Sequence, residues 1–386
     1  METKMAATPG RISMKPVYCI ASNITCPIGL DTEAAWAAVQ NGQSGVRYIE
    51  DELLFPRGIW ASAFTPEQWA FIDEDLDWNL SPLERMSIYS ARDAISLCGA
   101  IDFSRTLFVL TTTKGNIEWL GQQPDDRIRL TTSAALIASA CGIDGKPTVI
   151  SHACVSGVSG LIYALRCLQH GRFETAIITG ADRLTPFVLS GFSSFQALAD
   201  ERCRPFDSKR KGINLGEAAA TIILSTSENT VPQAMLCGGA TSNDANHISG
   251  PSRTGEELGL AISKALGECR LDSSAIDAIS AHGTATIYND EMESKAFAHT
   301  QLLHAPLHSI KGYLGHTLGA AGVVENALLI ESMRRGTTIA SLGFETPGVS
   351  QPVNVSTRSE YRHIRHALKT ASGFGGCNAA VVWSRP

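Results

Sequence analysis

ISHACVSGVSG, residues 150–160, sets one thiol, Cys154, between a β-branched run and a string of Ser, Val and Gly too small to fill much core. From Cys154 the pattern is C-x-x-G-x-x-G, CVSGVSGL at 154–161, and it returns from His316 as H-x-x-G-x-x-G, HTLGAAGV at 316–323. Each stretch follows a short β-type run and opens a helix with small residues at i, i+3 and i+6, a face that lets another backbone come close. Two such helices are expected to be buried, packed against one another or against strands. The two halves of the chain therefore read as a duplication, with a reactive residue at the same place in each. A looser echo pairs TTTKGNIE (111–118) with AHGTATIYNDE (281–291), both at strand ends.

Around these stretches, short β-type runs alternate with helical patterns. PVYCIAS, TLFVLTTT, PTVISHA, TAIITGA and AATIILST come first, then AMLCGGA, IDAISAHG, PLHSI and AAVVWS. The alternation argues an α/β fold with largely buried sheets. Apolar spacing predicts helices over 31–40, 82–98, 155–170, 254–269 and 318–335, the fourth opened by a capping box from Thr254 to Glu257. The polar stretch TSENTVPQ, 226–233, marks the join. The expected organisation is a loose extension over 1–13, a half carrying the nucleophilic Cys over 14–230, and a half carrying two His over 231–386.

The chain of 386 residues carries 32 basic and 38 acidic side chains, a net charge of −6, without a basic stripe or tail. No nucleic-acid surface is expected. No apolar run approaches the ~20 residues that span a bilayer. The ten cysteines form no CxxC pair and no signal peptide opens the chain, so reduced thiols in a cytoplasm are expected. HAC (152–154) offers two metal ligands without a second pair at zinc-like spacing, so no metal is expected. Neither a phosphate-binding GxxxxGK[ST] nor a serine-hydrolase G-x-S-x-G is present.

The chemistry therefore falls to a few groups. At a helix start, the backbone N–H groups are expected to favour the Cys154 thiolate, a nucleophile suited to holding an acyl group as a thioester. His282 in SAHGTAT and His316, five residues after Lys311, both stand at Gly-flanked strand ends. Two neutral imidazoles donating to one carbonyl oxygen could stabilise an enolate or oxyanion. In SGFGGCNAA, 372–380, the glycines allow an N–H to be aimed at a substrate oxygen while Phe374 moves.

Taken together, HACVSG, RPFDSKRKGINLGEAAA, SNDANHISGPSRTGEE, AHGTATIYNDEMESKA, KGYLGHTLGAAGVVE and GFGGCNAA resemble β-ketoacyl synthases of the Cys-His-His type. The resemblance spans about 14–386 and is strongest after residue 150. It implies a thiolase fold, two pseudo-equivalent halves in a five-layered αβαβα sandwich, and an enzyme condensing an acyl thioester with malonyl on acyl carrier protein, with decarboxylation. By that resemblance Cys154 carries the acyl chain, and His282 and His316 bind the malonyl thioester. The N–H groups of Cys154 and Phe374 form the oxyanion hole, and Phe374 acts as a gate. Lys311 pairs with Glu325, Asp290 and Glu293 support the site, and Thr284 and Thr286 hold the pantetheine arm. Arg202, Arg204, Lys209, Arg210 and Lys211 form a candidate docking edge for the carrier. No bound cofactor is implied, substrates being carried on the carrier's phosphopantetheine, and a homodimer is expected, with a heterodimer of related subunits open.

Cys377 stands where the family usually has Thr, and LFVLTTTKGNIEWLG, 107–121, looks more like synthases of aryl-polyene pathways than housekeeping fatty-acid synthases. Two other readings stay open: a thiolase, which shares the fold and a GHxxGAxG-like segment, and a non-catalytic chain-length partner in a synthase heterodimer.

Overall fold

The computed structural model describes residues 15–77, 79–122, 125–227, 231–246 and 250–386. The 1–13 extension, the centre of the 226–233 join and residues 247–249 of SNDANHISG lie outside the described residues. Five strands form the first half of the main sheet: β1 (Tyr18–Thr25), β2 (Thr106–Thr111), β3 (Thr148–Ile150), β4 (Thr175–Asp182) and β5 (Ala218–Ser225). Five more follow: β6 (Ala234–Asn243), β7 (Ala278–Ser280), β8 (Leu307–His308), β9 (His366–Gly373) and β10 (Cys377–Ser384).

Their order is β8-β7-β9-β10-β6-β1-β5-β4-β2-β3. The second and third strands of each half are parallel, as are the second and fourth, whereas the fourth pairs antiparallel with the fifth and the fifth with the first. The halves thus share one topology, and in the main sheet their strands pair through Tyr18 with Met235 and Cys19 with Ala234. A separate three-stranded sheet joins Val46–Ile49, Ile59–Ser62 and Leu215–Gly216.

Seven helices matter for the layering: α1 (Thr32–Gln40), α2 (Pro82–Ser96), α3 (Ser156–Gln169), α4 (Pro186–Ser194), α5 (Glu256–Cys269), α6 (Ile287–His299) and α7 (Ala321–Arg335). α2 packs on β1, β4 and β5, and α5 packs on β6 and β10, whereas α3 and α7 touch strands of both halves and each other. The result is the expected five layers, helix, sheet, helices, sheet, helix. From Ala321 to Met333 every residue of α7 is buried, the pattern of a helix enclosed on all sides.

The small residues of the repeated motif decide this centre. A Cβ added at Gly157 would lie 2.6 Å from the Val323 nitrogen, and one at Gly322 would lie 2.5 Å from the Val158 nitrogen. Backbone meets backbone there, so the echo in the sequence marks the contact between its two copies.

Two expectations are corrected. α5 begins at Glu256 behind Gly255, whose φ of 77° is left-handed, and carries no side-chain cap, so the Thr254 to Glu257 capping box does not form. Thr254 instead shares its hydroxyl with Ser252 at 3.2 Å. β9, HALKTASG, was absent from the sequence reading because Lys369 interrupts it, and that lysine is fully buried.

Gly157→Ala is expected to cost about 1–3 kcal/mol, because no rotamer relieves a backbone clash. Equilibrium denaturant unfolding of the variant checks this; unchanged stability would show that the helices can separate freely.

Candidate active site

Cys154 sits in the bend between β3 and α3. Ala153 immediately before it has a φ of 46°, the left-handed region that a residue with a Cβ rarely adopts. The Ser156 hydroxyl fastens the bend, accepting from the His152 N–H at 2.8 Å and donating to the Ala153 carbonyl at 2.6 Å. His316 follows the short helix Lys311–Leu314, and its backbone N–H donates to the Asn214 carbonyl at 2.8 Å. His282 follows β7, where its N–H and that of Gly283 both donate to the Glu293 carboxylate, at 2.8 and 2.6 Å.

These three elements converge. The two imidazole rings stand edge to face with centroids 5.2 Å apart. The thiol sulfur and one nitrogen of each ring lie within 4.8 Å of one another. Among the described residues, Nδ1 of His282 and both ring nitrogens of His316 have no hydrogen-bond partner. Buried ring nitrogens are rarely left so, and the one N–H that each neutral ring carries is available to a substrate oxygen.

Burial sets the protonation states. It pushes the Cys154 thiol up to about 12, with the nearby Cys377 adding to the rise and Lys311 and the Phe374 backbone N–H opposing it. The expected thiolate is therefore corrected: α3 starts two residues later, at Ser156, and loss of hydration outweighs its N-terminus. Burial also holds both imidazoles well below the usual value, aided by the Lys311 and Lys369 cations. A neutral thiol thus faces two neutral imidazoles.

Behind the site lies an ionic cluster. Lys311 Nζ donates to the His282 carbonyl at 2.8 Å and pairs with Oε1 of Glu325. Lys369 pairs with Oε2 of the same carboxylate at 2.7 Å. Asp290 accepts from the Phe206 N–H at 2.7 Å and the Ala285 N–H at 3.2 Å, and burial pushes its carboxyl up to about 7.

A cavity of about 430 Å³ reaches this point, lined by Cys154, both histidines, Thr284, Thr286 and Phe374. The Thr284 and Thr286 hydroxyls lie 2.9 Å apart. Phe374 tops the β9–β10 hairpin, stacked on Phe192 at 5.6 Å and edge-on to Phe195 at 5.4 Å. Cys377 holds the turn, its thiol 3.4 Å from the Phe374 carbonyl.

The basic cluster divides. Lys211 lines the cavity and pairs with Asp200 and Glu201 at 3.4 Å each, while Arg204 and Lys209 share Glu345. Arg202 stands 3.5 Å from the Val46 carbonyl. Arg210 points inward instead, donating to the carbonyls of Thr286, Ile287, Asp207 and Gly348. Lys369, Phe192 and Phe195 were not foreseen in the sequence, although Lys369 precedes Phe374 by five residues as Lys311 precedes His316.

Residues 122–230 match the family model of the β-ketoacyl synthase N-terminal domain, and residues 233–345 that of its C-terminal domain. The chain belongs to the β-ketoacyl synthase family. It is a condensing acyltransferase by that membership, and Cys154, His282, His316 and Glu325 all fall inside the matched segments, whereas Lys369 and the Gly-rich turn lie beyond them. The chain is 27% identical to 3-oxoacyl-[acyl-carrier-protein] synthase 2 of Mycobacterium leprae, over 93% of this chain and 94% of that one. It is 26% identical to the tetracenomycin polyketide synthase ketoacyl synthase alpha subunit of Streptomyces glaucescens, over 97% and 98%. A ketosynthase solved in complex with its chain length factor, from Xenorhabdus doucetiae, superposes with a TM-score of 0.82 at 23% identity, over 99% of this chain and all of that one. None of the helices in the described residues is long and apolar enough to cross a membrane.

Because the raised thiol releases its proton only as pH climbs toward about 12, alkylation of Cys154 by iodoacetamide should quicken about tenfold per pH unit from 7 to 10 without levelling. Intact-mass kinetics, with Cys154→Ala as the blank, measure it; a plateau near pH 8 would mean the thiolate is already formed.

Proposed function

We propose that the chain catalyses decarboxylative condensation of an acyl group held on Cys154 with malonyl on acyl carrier protein, giving 3-oxoacyl-acyl carrier protein and carbon dioxide. The observation that carries this is the convergence of one thiol and two unpartnered neutral imidazoles on a single cavity. In the first step the Cys154 sulfur takes the acyl group, and the thiol proton leaves with the carrier's pantetheine thiolate. His282 and His316 then each donate a hydrogen bond to the malonyl thioester oxygen, stabilising the enolate as carbon dioxide departs. Neutral imidazoles suit this role, since each keeps one N–H and adds no charge to the resting site. The enolate carbon attacks the acyl carbonyl, whose oxygen is received by the N–H groups of Cys154 and Phe374. Collapse of that intermediate frees the Cys154 sulfur, which regains a proton.

The remaining roles follow the same reading. Thr284 and Thr286 hold the pantetheine arm in the cavity, and Lys311, Glu325, Asp290 and Glu293 keep the reacting groups in place. Phe374 moves when Cys154 is acylated, leaving its contacts with Phe192 and Phe195. Arg202, Arg204, Lys209 and Lys211 present the edge to an acidic carrier, and Arg210 is left out because its guanidinium is committed to backbone carbonyls. The division of labour follows the two halves, thiol in the first and imidazoles in the second. A homodimer through the open, half-exposed edge strand β3 is supported by its place at the end of the main sheet, next to the nucleophile. A heterodimer with a related subunit would use the same edge.

For the acyl chain we infer a rigid unsaturated or aryl group of polyketide or aryl-polyene type. The support is that Phe192, Phe195, Phe374 and Tyr288 line the same cavity as the thiol, and their flat faces suit a conjugated chain. The readings as thiolase and as non-catalytic partner are disfavoured by the second imidazole and by the intact thiol respectively.

Intact-mass measurement of acylation across aryl-enoyl and saturated acyl carriers tests both levels. Loading on Cys154, lost in Cys154→Ala, supports the enzyme, and preference for aryl-enoyl groups supports the substrate class. Elongation unchanged by Cys154→Ala in the reconstituted pathway would assign the chain a partner's role. His282→Ala and His316→Ala should each slow malonyl decarboxylation by about 10²-fold or more while Cys154 still loads.

A further inference from the structure

Lys369 belongs to no motif that carried the family resemblance and lies beyond both matched segments. Yet it is a fully buried lysine in the middle of a strand. Such a side chain is retained only when its charge and its three donors are answered. Here they are: its Nζ stands 2.7 Å from Glu325 Oε2 and donates to the Ser280 and Ala281 carbonyls at 3.2 Å each. Lys311, on the other oxygen of Glu325, takes the next carbonyl, that of His282, at 2.8 Å. Three consecutive carbonyls leading into the first imidazole are thus gripped by two ammonium groups that share one carboxylate.

We propose that Lys369 is a second positioning residue for decarboxylation, acting with Lys311 through their shared Glu325 to hold the His282 segment and to place two positive charges behind both imidazoles. This rests on the condensing function proposed above. The charge count supports it. Glu293 also faces Lys369 and binds the His282 and Gly283 N–H groups, so two cations stand against two buried carboxylates, whereas Lys311 alone would leave one carboxylate unanswered. The groups facing the imidazoles are each other, Cys154, Lys311 from the short helix, Lys369 from β9, and, behind them, Glu293 from α6, Glu325 from α7 and His308 from β8. Both lysines lower the proton affinity of both rings. With one removed, the rings take up a proton at higher pH, and an imidazolium pairs with the malonyl carboxylate that must give up its charge for carbon dioxide to leave.

The experiment compares full-length unsubstituted protein, Lys369→Gln and Lys369→Arg for decarboxylation of malonyl-acyl carrier protein from pH 5 to 9, with Cys154 loading by intact mass as the control for folding. Glutamine keeps a donor without charge. It is expected to lower kcat about tenfold at pH 7 with little change in KM, and to move the acidic limb of the profile up by about one pH unit. Arginine should leave the limb in place even where its bulk lowers the rate. A glutamine variant with the original limb, or an arginine variant shifted as far as glutamine, overturns the proposal. If Lys369→Gln fails to load, NMR of 13C-labelled histidine compares it with the unsubstituted protein: an active-site ring that takes up its proton at higher pH in the variant supports the proposal, and ring titration unchanged by the substitution overturns it. Absence of malonyl decarboxylation by the unsubstituted protein would overturn the functional reading instead.

Discussion

The close approach of α3 and α7 at Gly157 and Gly322 is the constraint on which the rest of the molecule depends. Each helix begins just after a reactive residue, Cys154 three positions before Gly157 and His316 six before Gly322. Once the two backbones touch, the distance between thiol and imidazole is set by main-chain geometry rather than by any bond between the side chains. That matters because bonded side chains would be occupied. The ring nitrogens of His316 have no partner among the described residues, so the ring's one N–H is uncommitted, and the Asn214 carbonyl holds the residue by its backbone N–H instead.

Low polarity at this contact then governs the charges. Desolvation raises the thiol and lowers the imidazoles, so the same burial drives nucleophile and donors alike toward neutrality. Behind the reacting groups Lys311 and Lys369 pair with Glu325, and Lys369 also faces Glu293. A neutral front and a paired rear let negative charge arise on the substrate during reaction without competing with a resident anion. It also explains why a helix N-terminus is a poor guide to the reactivity of Cys154: its field acts on a group that has already lost its water.

Much of this was legible in the sequence because the duplication repeats chemistry as well as pattern. CVSGVSGL and HTLGAAGV gave the helix contact, and nine of the ten main-sheet strands coincide with apolar runs whose period reflects burial. What escaped was governed by distant contacts. β9 was hidden by Lys369, whose carboxylate partner comes from α7 and whose Ser280 and Ala281 carbonyl partners come from the end of β7 and the residue after it, distant in the chain. The aromatic support of Phe374 likewise comes from α4 and the residue after it, more than 170 positions earlier in the chain. Thr254 met the rule for a capping box, but Gly255 packs against the Met292 carbonyl and the Ala296 nitrogen, and that tertiary contact set the helix start.

Backbone strain is distributed with the same logic. Ala153, Ala285 and Leu318 are non-glycine residues at φ of 46°, 62° and 53°, and they lie one, three and two positions from Cys154, His282 and His316. Each such conformation costs on the order of 1–3 kcal/mol and persists only where its surroundings over-determine it. Here every one has its own buried polar anchor. Ser156 ties down the Ala153 turn, and Asp290 accepts from the Ala285 N–H. Asp182 accepts from the Gly319 N–H, next to Leu318, at 2.7 Å and from the Thr112 hydroxyl at 2.9 Å. The strained turns aim the three reactive side chains into one cavity, and none of the three anchors lines it. Asp182 therefore serves the site without touching a substrate, joining the β2 end of one half to the His316 turn of the other. The duplicated fold thus holds its reactive groups twice over, by a glycine contact that fixes distance and by anchored bends that fix direction.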